Sequence, residues 1–405
     1  MQSEYTTNRF ATLFRINLIN QPNILMRRIH SILLLVAASC TLFIAGCDTD
    51  SNPIDELEVP TTYSFTRNGS TTVDFAGQTQ RLDQLALMVD YMKTANVAGS
   101  PALDGVLLKN MFSNTGNPFA GFTFTKDLKS KCFAADIPQL EAWMDEVAAA
   151  SALQQEASEG VAGLLVQGSV DPTVGYLVNA NGIQLAEVIE KSVMGGVFFF
   201  QAMETYLSVD YMGELNNDSL VELTNYTNME HYMDEAFGYA GIPVDYPSLT
   251  TIDEARFWGE YISARNEELY PGIASEFAAA FRTARAAIAA KDYQSRDEAI
   301  QTIQEKWAIV IAASAVDYLS ASLSTEGLPV YGKNHKLSEA IGFCIALKYH
   351  FNGGNSKFSP IYNYQSVQQA LDIIGPTSNL YTVDDVAIYA AILKIREAFP
   401  VDVIK

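Results

Sequence analysis

His231 and Glu235 stand four residues apart in His231-Tyr232-Met233-Asp234-Glu235-Ala236-Phe237-Gly238-Tyr239, and the same spacing returns in His335-Lys336-Leu337-Ser338-Glu339-Ala340-Ile341-Gly342-Phe343. Both stretches fit H-x-x-x-E-A-[FI]-G-[YF]. On a helix, residues four apart share a face with their Cβ atoms about 5–6 Å apart, so each His/Glu pair is placed to share a ligand. Asp234 joins the first pair at i+3. Imidazole nitrogen with carboxylate oxygen suits zinc, iron or copper better than calcium or magnesium.

On a helical wheel Met229, Tyr232, Met233, Ala236 and Ala240 form an apolar stripe, with His231, Asp234, Glu235 and Gly238 opposite. In the second stretch Leu337, Ala340, Ile341 and Cys344 form the stripe, while His335, Glu339, Gly342 and Ala346 form the other face. A glycine inside a helix costs about 1 kcal/mol against alanine, and close approach of another backbone is the usual reason for one. Both His/Glu faces are therefore expected to pack against the protein. Two arrangements satisfy that. The faces meet about a pseudo-two-fold axis, giving a polar cleft of two histidines and up to three carboxylates, or each pair is a hydrogen-bonded contact pinning one helix to its neighbour. Structural pairs are commoner than metal sites.

Other chemistries have less support. His231 is followed by tyrosine and has glutamate at i+4, so the H-E-x-x-H of zinc proteases is missing, as are a G-x-S-x-G elbow and a phosphate-binding loop. Among 47 acidic residues no glycosidase-type carboxylate pair is singled out. His350 lies near a loop and suits a surface role.

The elements that must position these residues are helical. Leu82–Ala95, Gln139–Glu159, Ile183–Ser208, Glu230–Ala240, Ile252–Leu269, Ala274–Lys291, Asp297–Ser322, Leu337–Tyr349, Val367–Ile374 and Val383–Ala398 are spaced apolar runs rich in Ala, Leu, Glu and Gln. Val193–Gln201 and Ala308–Val316 are apolar nearly all round, which marks central helices, and neither reaches the length of a membrane span. Before them, Tyr63–Thr66 and Thr71–Phe75 alternate around Asn68-Gly69 and predict a short β-hairpin. Upstream of each His/Glu stretch lies a second echo, Glu190-Lys191 with Tyr206-Leu207-Ser208 and Glu305-Lys306 with Tyr318-Leu319-Ser320. The expectation is an all-α helical bundle with an internal duplication, a single domain over 61–405 with approximate halves 61–245 and 246–405.

The N-terminus predicts export. Arg27, Arg28 and His30 precede the apolar run Ile32–Ile44, and Ile44-Ala45-Gly46-Cys47 has the small residues and cysteine of a lipoprotein cleavage site. Residues 1–46 read as a signal peptide; Met26 offers a later start, so 1–25 are set aside. Cys47 would be lipidated, with several acyl chains giving a stable anchor at about 0.8 kcal/mol per buried CH₂, and 47–60 would be a polar tether. Cys132 and Cys344 lie in apolar surroundings and are expected as buried thiols rather than a disulfide. A net charge of -21 would repel nucleic acid and anionic membrane and attract cations.

Tyr63-Ser64-Phe65, Gly77-Gln78-Thr79-Gln80-Arg81-Leu82 and above all Glu230–Tyr239 resemble a lipoprotein family of Gram-negative bacteria known as domain of unknown function 4856, over essentially the whole mature chain. That resemblance implies no activity. More distantly, His231-x-x-Asp234 on a helix of a duplicated bundle resembles the imelysin-like proteins, whose signature is G-x-H-x-x-E, envelope proteins linked to iron or other metal uptake and formerly grouped with peptidases. Met229 stands where that family has glycine, Asp234 where it has glutamate, and the second copy has Ser338 there. The resemblance therefore implies only His231 and Asp234 as ligands.

Together these features lead to an expected cell-envelope lipoprotein, anchored by lipid with the outer membrane favoured. It would be non-enzymatic and bind a metal ion, iron, copper or zinc, or a metal-loaded partner such as an uptake receptor. His231, Asp234, Glu235, His335 and Glu339 would form the site. The alternatives are a metal-dependent, peptidase-like hydrolase, which needs an open coordination position and a general base, and a ligand-free surface adaptor.

Overall fold

The protein is described by a computed structural model that covers residues 57–166, 173–350, 364–399 and 401. The expected signal segment, the expected cleavage site with Cys47 and the expected tether up to residue 56 lie outside the described residues, as does the His350 side chain. Glu56–Lys405 form one compact unit.

The hairpin comes first. β1 (Thr66–Arg67) pairs antiparallel with β2 (Ser70–Thr71) around Asn68-Gly69, whose φ angles of 53° and 79° are those a tight hairpin turn demands. Helices α1 (Ala76–Lys93), α2 (Gly105–Ser113) and α3 (Ile137–Ala152) follow. A second hairpin joins β3 (Gly163–Val166) to β4 (Gly175–Val178). Then come α4 (Leu185–Val193), α5 (Val209–Glu214), α6 (Asn228–Ala240), α7 (Trp258–Glu268), α8 (Ile273–Ala290), α9 (Tyr293–Ser320), α10 (Val330–Leu347), α11 (Tyr364–Ile373) and α12 (Asp385–Ala398). The described chain is all-α, as its periodicity predicts, with two small hairpins.

Three details depart from the periodic pattern. α2 and the second hairpin were not expected; α2 is announced by Asp104, whose carboxylate accepts from the Val106 and Leu107 amides at the helix start. The apolar run Ile183–Ser208 is helical, but beyond α4 it winds as two π-helical stretches, Met194–Phe199 and Gln201–Tyr206. The buried Trp258 indole donates to the Met194 carbonyl there at 3.1 Å. The expected helix Ile252–Leu269 is interrupted at Phe257, where φ is +51° and the backbone leaves helical geometry before α7 begins.

Long α9 is the centre of the core. Trp307, Ala308 and Val310–Val316 are fully enclosed, covered by α7, α8, α10 and α12. An α-helix apolar all round must be packed on every side. α10 is held between α9 and α4, and α6 rests on α1, α8 and the π-helical stretches. These two placements decide where each His/Glu face looks. Cys132 and Cys344 are buried free thiols, both pushed up to about 12 by burial. No helix among the described residues is long and apolar enough to cross a membrane.

Candidate functional site

Helix α6 is fixed at both ends by its own sequence. The Thr227 hydroxyl accepts from the Glu230 amide at 3.2 Å and the Glu230 carboxylate accepts from the Thr227 amide at 2.8 Å, a reciprocal cap. Gly241 ends the helix in the left-handed region. Within it Gly238 is pressed onto the start of α1, where an added Cβ would come within 2.6 Å of Phe75 Cβ and 2.8 Å of Gln78 Cβ. Gly342 of α10 does the same on α4, its added Cβ falling 2.6 Å from Lys191 Cβ. Each glycine is the contact point its spacing predicts. Through that contact Gln78 and Lys191 hold matching positions.

Asp234 does not join the His231 face. It is fully buried on the inner side of α6, where Oδ1 accepts from Tyr63 Oη at 2.9 Å and Arg285 Nε at 3.0 Å, and Oδ2 accepts from the Asp74 amide at 3.2 Å. Burial raises its carboxyl to about 7 in spite of the guanidinium beside it. Arg285, wholly enclosed, also donates to Glu230 at 2.9 Å and to the Thr72 hydroxyl at 2.9 Å. This network ties the N-terminal hairpin to α6 and α8. The expectation of Asp234 among His231 and Glu235 is corrected by helix geometry: i+3 and i+4 diverge by about 100° around the axis, and the buried arginine draws Asp234 inward.

His231 and Glu235 instead face a cleft of about 340 Å³. The His231 ring stacks on Tyr226, centroids 4.4 Å apart and planes 10° apart, and its Nδ1 is buried with no protein partner. Glu235 accepts from Gln78 Nε2 at 2.8 Å. Asp74, Arg81, Lys126 and Lys131 complete the polar lining.

The second copy is built alike and filled differently. His335 stacks on Tyr176, centroids 4.5 Å and planes 11° apart, and its Nδ1 lies 2.8 Å from Gln184 Oε1. Glu187, His335 and Glu339 are the group of three among the described residues whose donor atoms lie within 4.8 Å of one another. The Lys191 ammonium sits among their carboxylates, 2.7 Å from Glu187, 2.8 Å from Glu339 and 3.2 Å from Glu190. Lys93 adds a second ammonium at 3.2 Å from Glu187 and 3.3 Å from Glu190. Burial opposes ionisation of Glu187, but Lys191 and Lys93 outweigh it and hold that carboxyl well below the usual range. Glu339, also buried, shares Lys191 with two other carboxylates and is pushed up to about 8. Burial lowers His335 to about 4.

The five residues nominated by the sequence therefore fall in three surroundings: His231 and Glu235 in the cleft, Asp234 in the arginine network, His335 and Glu339 in the lysine-filled cluster. The single cleft with both histidines does not form, because α6 leans on α1 and α10 on α4. Sequence spacing missed Glu187, Lys93 and the cleft's Asp74, Arg81, Lys126 and Lys131, all supplied by other segments. Lys191 had one signal, the Glu190-Lys191 echo. Its counterpart Lys306 is placed elsewhere, paired with Glu276 between α9 and α8.

Neither a curated protein nor a solved structure matches the chain. A family model does, over residues 60–395. With that span the chain belongs to the family described as domain of unknown function (DUF4856).

Proposed function

We propose that this is a lipid-anchored, non-enzymatic protein of the cell envelope that binds a metal ion, or a metal-loaded partner, as one component of an uptake system. The envelope assignment rests on Arg27, Arg28, the apolar run to Ile44 and Ala45-Gly46-Cys47. The metal assignment rests on one observation, the buried and unpartnered Nδ1 of His231, a residue that lines a cleft together with Glu235 and Asp74. A buried polar atom left unsatisfied costs about 1–3 kcal/mol. A coordinated cation removes that cost, and an imidazole with carboxylates is a donor set for zinc, copper or iron.

The other copy is the weaker candidate although its donors are closer together. A metal entering between Glu187, His335 and Glu339 would have to displace Lys191, which is enclosed and, although burial disfavours its charge, held protonated far above its ordinary range by the three carboxylates. The distant imelysin resemblance at His231 points to the same copy. In detergent, the full chain is expected to hold close to one copper or zinc ion, lost on His231→Ala; a wild type that stays metal-free after exposure to iron, copper and zinc overturns the assignment. Cys47→Ser should move the protein from the membrane fraction to the soluble one.

A further inference from the structure

Resting on that reading, we infer that the His231 cleft takes its metal as an anionic carboxylate chelate rather than as a bare ion. The observation is the positive charge in its lining. Arg81, Lys126 and Lys131 all line the cleft, and none of them makes an ion pair with a carboxylate among the described residues. This is a chain with 47 acidic residues against 26 basic ones, so counter-charges are plentiful.

Arg81 and Lys131 hydrogen-bond to neutral groups, while the Glu235 charge also acts on Lys131. Arg81 is buried, and its guanidinium donates to the Asp127 carbonyl at 2.7 Å and the Gly77 carbonyl at 3.3 Å. Lys131 donates to Tyr206 Oη at 3.2 Å. Arg81 is buried, Lys131 half-buried and Lys126 exposed. Burial of a cation is costly unless an anion compensates it, and a buried arginine with two lysines beside one cleft makes a receptor for an anion. Planar guanidinium and flexible ammonium groups are the usual partners of carboxylates.

A plain anion would meet Asp74 and Glu235 in the same cleft and be repelled by them. A metal carboxylate matches both kinds of group. The metal takes His231 with Glu235 or Asp74 as protein donors, and the chelate's own carboxylates complete its coordination while reaching Arg81, Lys126 and Lys131. The cleft brings few donors of its own to the metal, which suits an ion that arrives partly coordinated. At about 340 Å³ it lies within the roughly 300–1,000 Å³ range of small-molecule sites.

The test is calorimetric titration of the full chain with copper(II) chloride, trisodium citrate and preformed copper(II) citrate, with Lys126→Glu/Lys131→Glu and His231→Ala variants whose melting temperatures are checked first. Copper(II) citrate should bind at least tenfold more tightly than copper(II) alone or citrate alone. The double charge reversal should remove that preference and leave the affinity for copper(II) intact, with histidine nitrogen still visible in the copper paramagnetic resonance spectrum. Citrate bound as tightly as its copper complex overturns the inference, because the site is then an anion site. Copper(II) bound through His231 with no gain from citrate overturns the inference and leaves the metal assignment standing. If neither copper species binds, both fall.

Discussion

The α6 and α10 copies share their H-x-x-x-E spacing, the glycine seven residues after the histidine and a tyrosine stacked on the imidazole, yet one faces an open cleft and the other is enclosed. The difference lies at one contact. Where Gly342 meets α4 the chain places Lys191, whose ammonium lies within 3.2 Å of three carboxylates. Where Gly238 meets the start of α1 it places Gln78, a neutral amide that donates to Glu235 and brings no cation. A histidine and glutamate at helical spacing thus define a place for positive charge, and the partner helix decides whether the protein supplies that charge itself.

The largest expected effect breaks this comparison at its lysine. Lys191→Met leaves Glu187, Glu190 and Glu339 without their enclosed counter-charge, and removing one partner of a buried ion cluster costs about 3–5 kcal/mol. Gln78→Met, at the matching position, should cost no more than about 1.5 kcal/mol, the net value of one hydrogen bond. Chemical denaturation measures both; equal losses would erase the distinction between the copies. In a His231→Ala background, Lys191→Ala should also gain thermal stability from zinc, since its removal frees Glu187, His335 and Glu339.

Acidity separates the members of the filled cluster. His335, lowered to about 4 by burial, is neutral in the fold, whereas the unfolded chain takes up that proton near 6.5. Its contribution is complete above pH 6.5 and is lost as pH falls toward 4, by about 3 kcal/mol over the window. Glu339, raised by burial to about 8, acts in the opposite sense: its proton is held in the fold and favours it as pH falls from 8 to about 4.5. Burial also raises Asp234 to about 7, so it too favours the fold as pH falls. Melting curves against pH should therefore show His335→Gln gaining more stability than wild type as pH falls from 6.5 to 4.5. A variant that tracks wild type through that window would contradict the assignment.

Two smaller effects sharpen the picture. Gly238→Ala and Gly342→Ala each force a Cβ into a gap of 2.6 Å and should cost about 1–3 kcal/mol by overpacking, readable as a drop in denaturation midpoint. Cys132 and Cys344, enclosed and pushed up to about 12, should resist thiol reagents in the folded protein and react on unfolding.

Much of this was legible because it is local. The Asn68-Gly69 turn and the apolar periodicity are written within a few residues of where they act. His231 and Glu235 were legible for the same reason, as was the close packing at Gly238 and Gly342. Asp234 was misplaced because i+3 and i+4 look alike in a pattern, and only the buried Arg285, 51 residues away, decides which of them turns inward. The content of each copy was hidden because it comes from afar: Glu187 and Lys191 precede His335 by well over a hundred residues, and Arg81 and Lys131 reach His231 from other segments. Spacing on one helix reports which groups share a face, not what the fold lays against it.

The most direct measurement is a copper titration of the full chain in detergent, comparing wild type, His231→Ala and His335→Ala, each verified as folded. Metal lost with His231→Ala and retained within about twofold in His335→Ala is the predicted result; loss in His335→Ala alone, or equal loss in both, would contradict it.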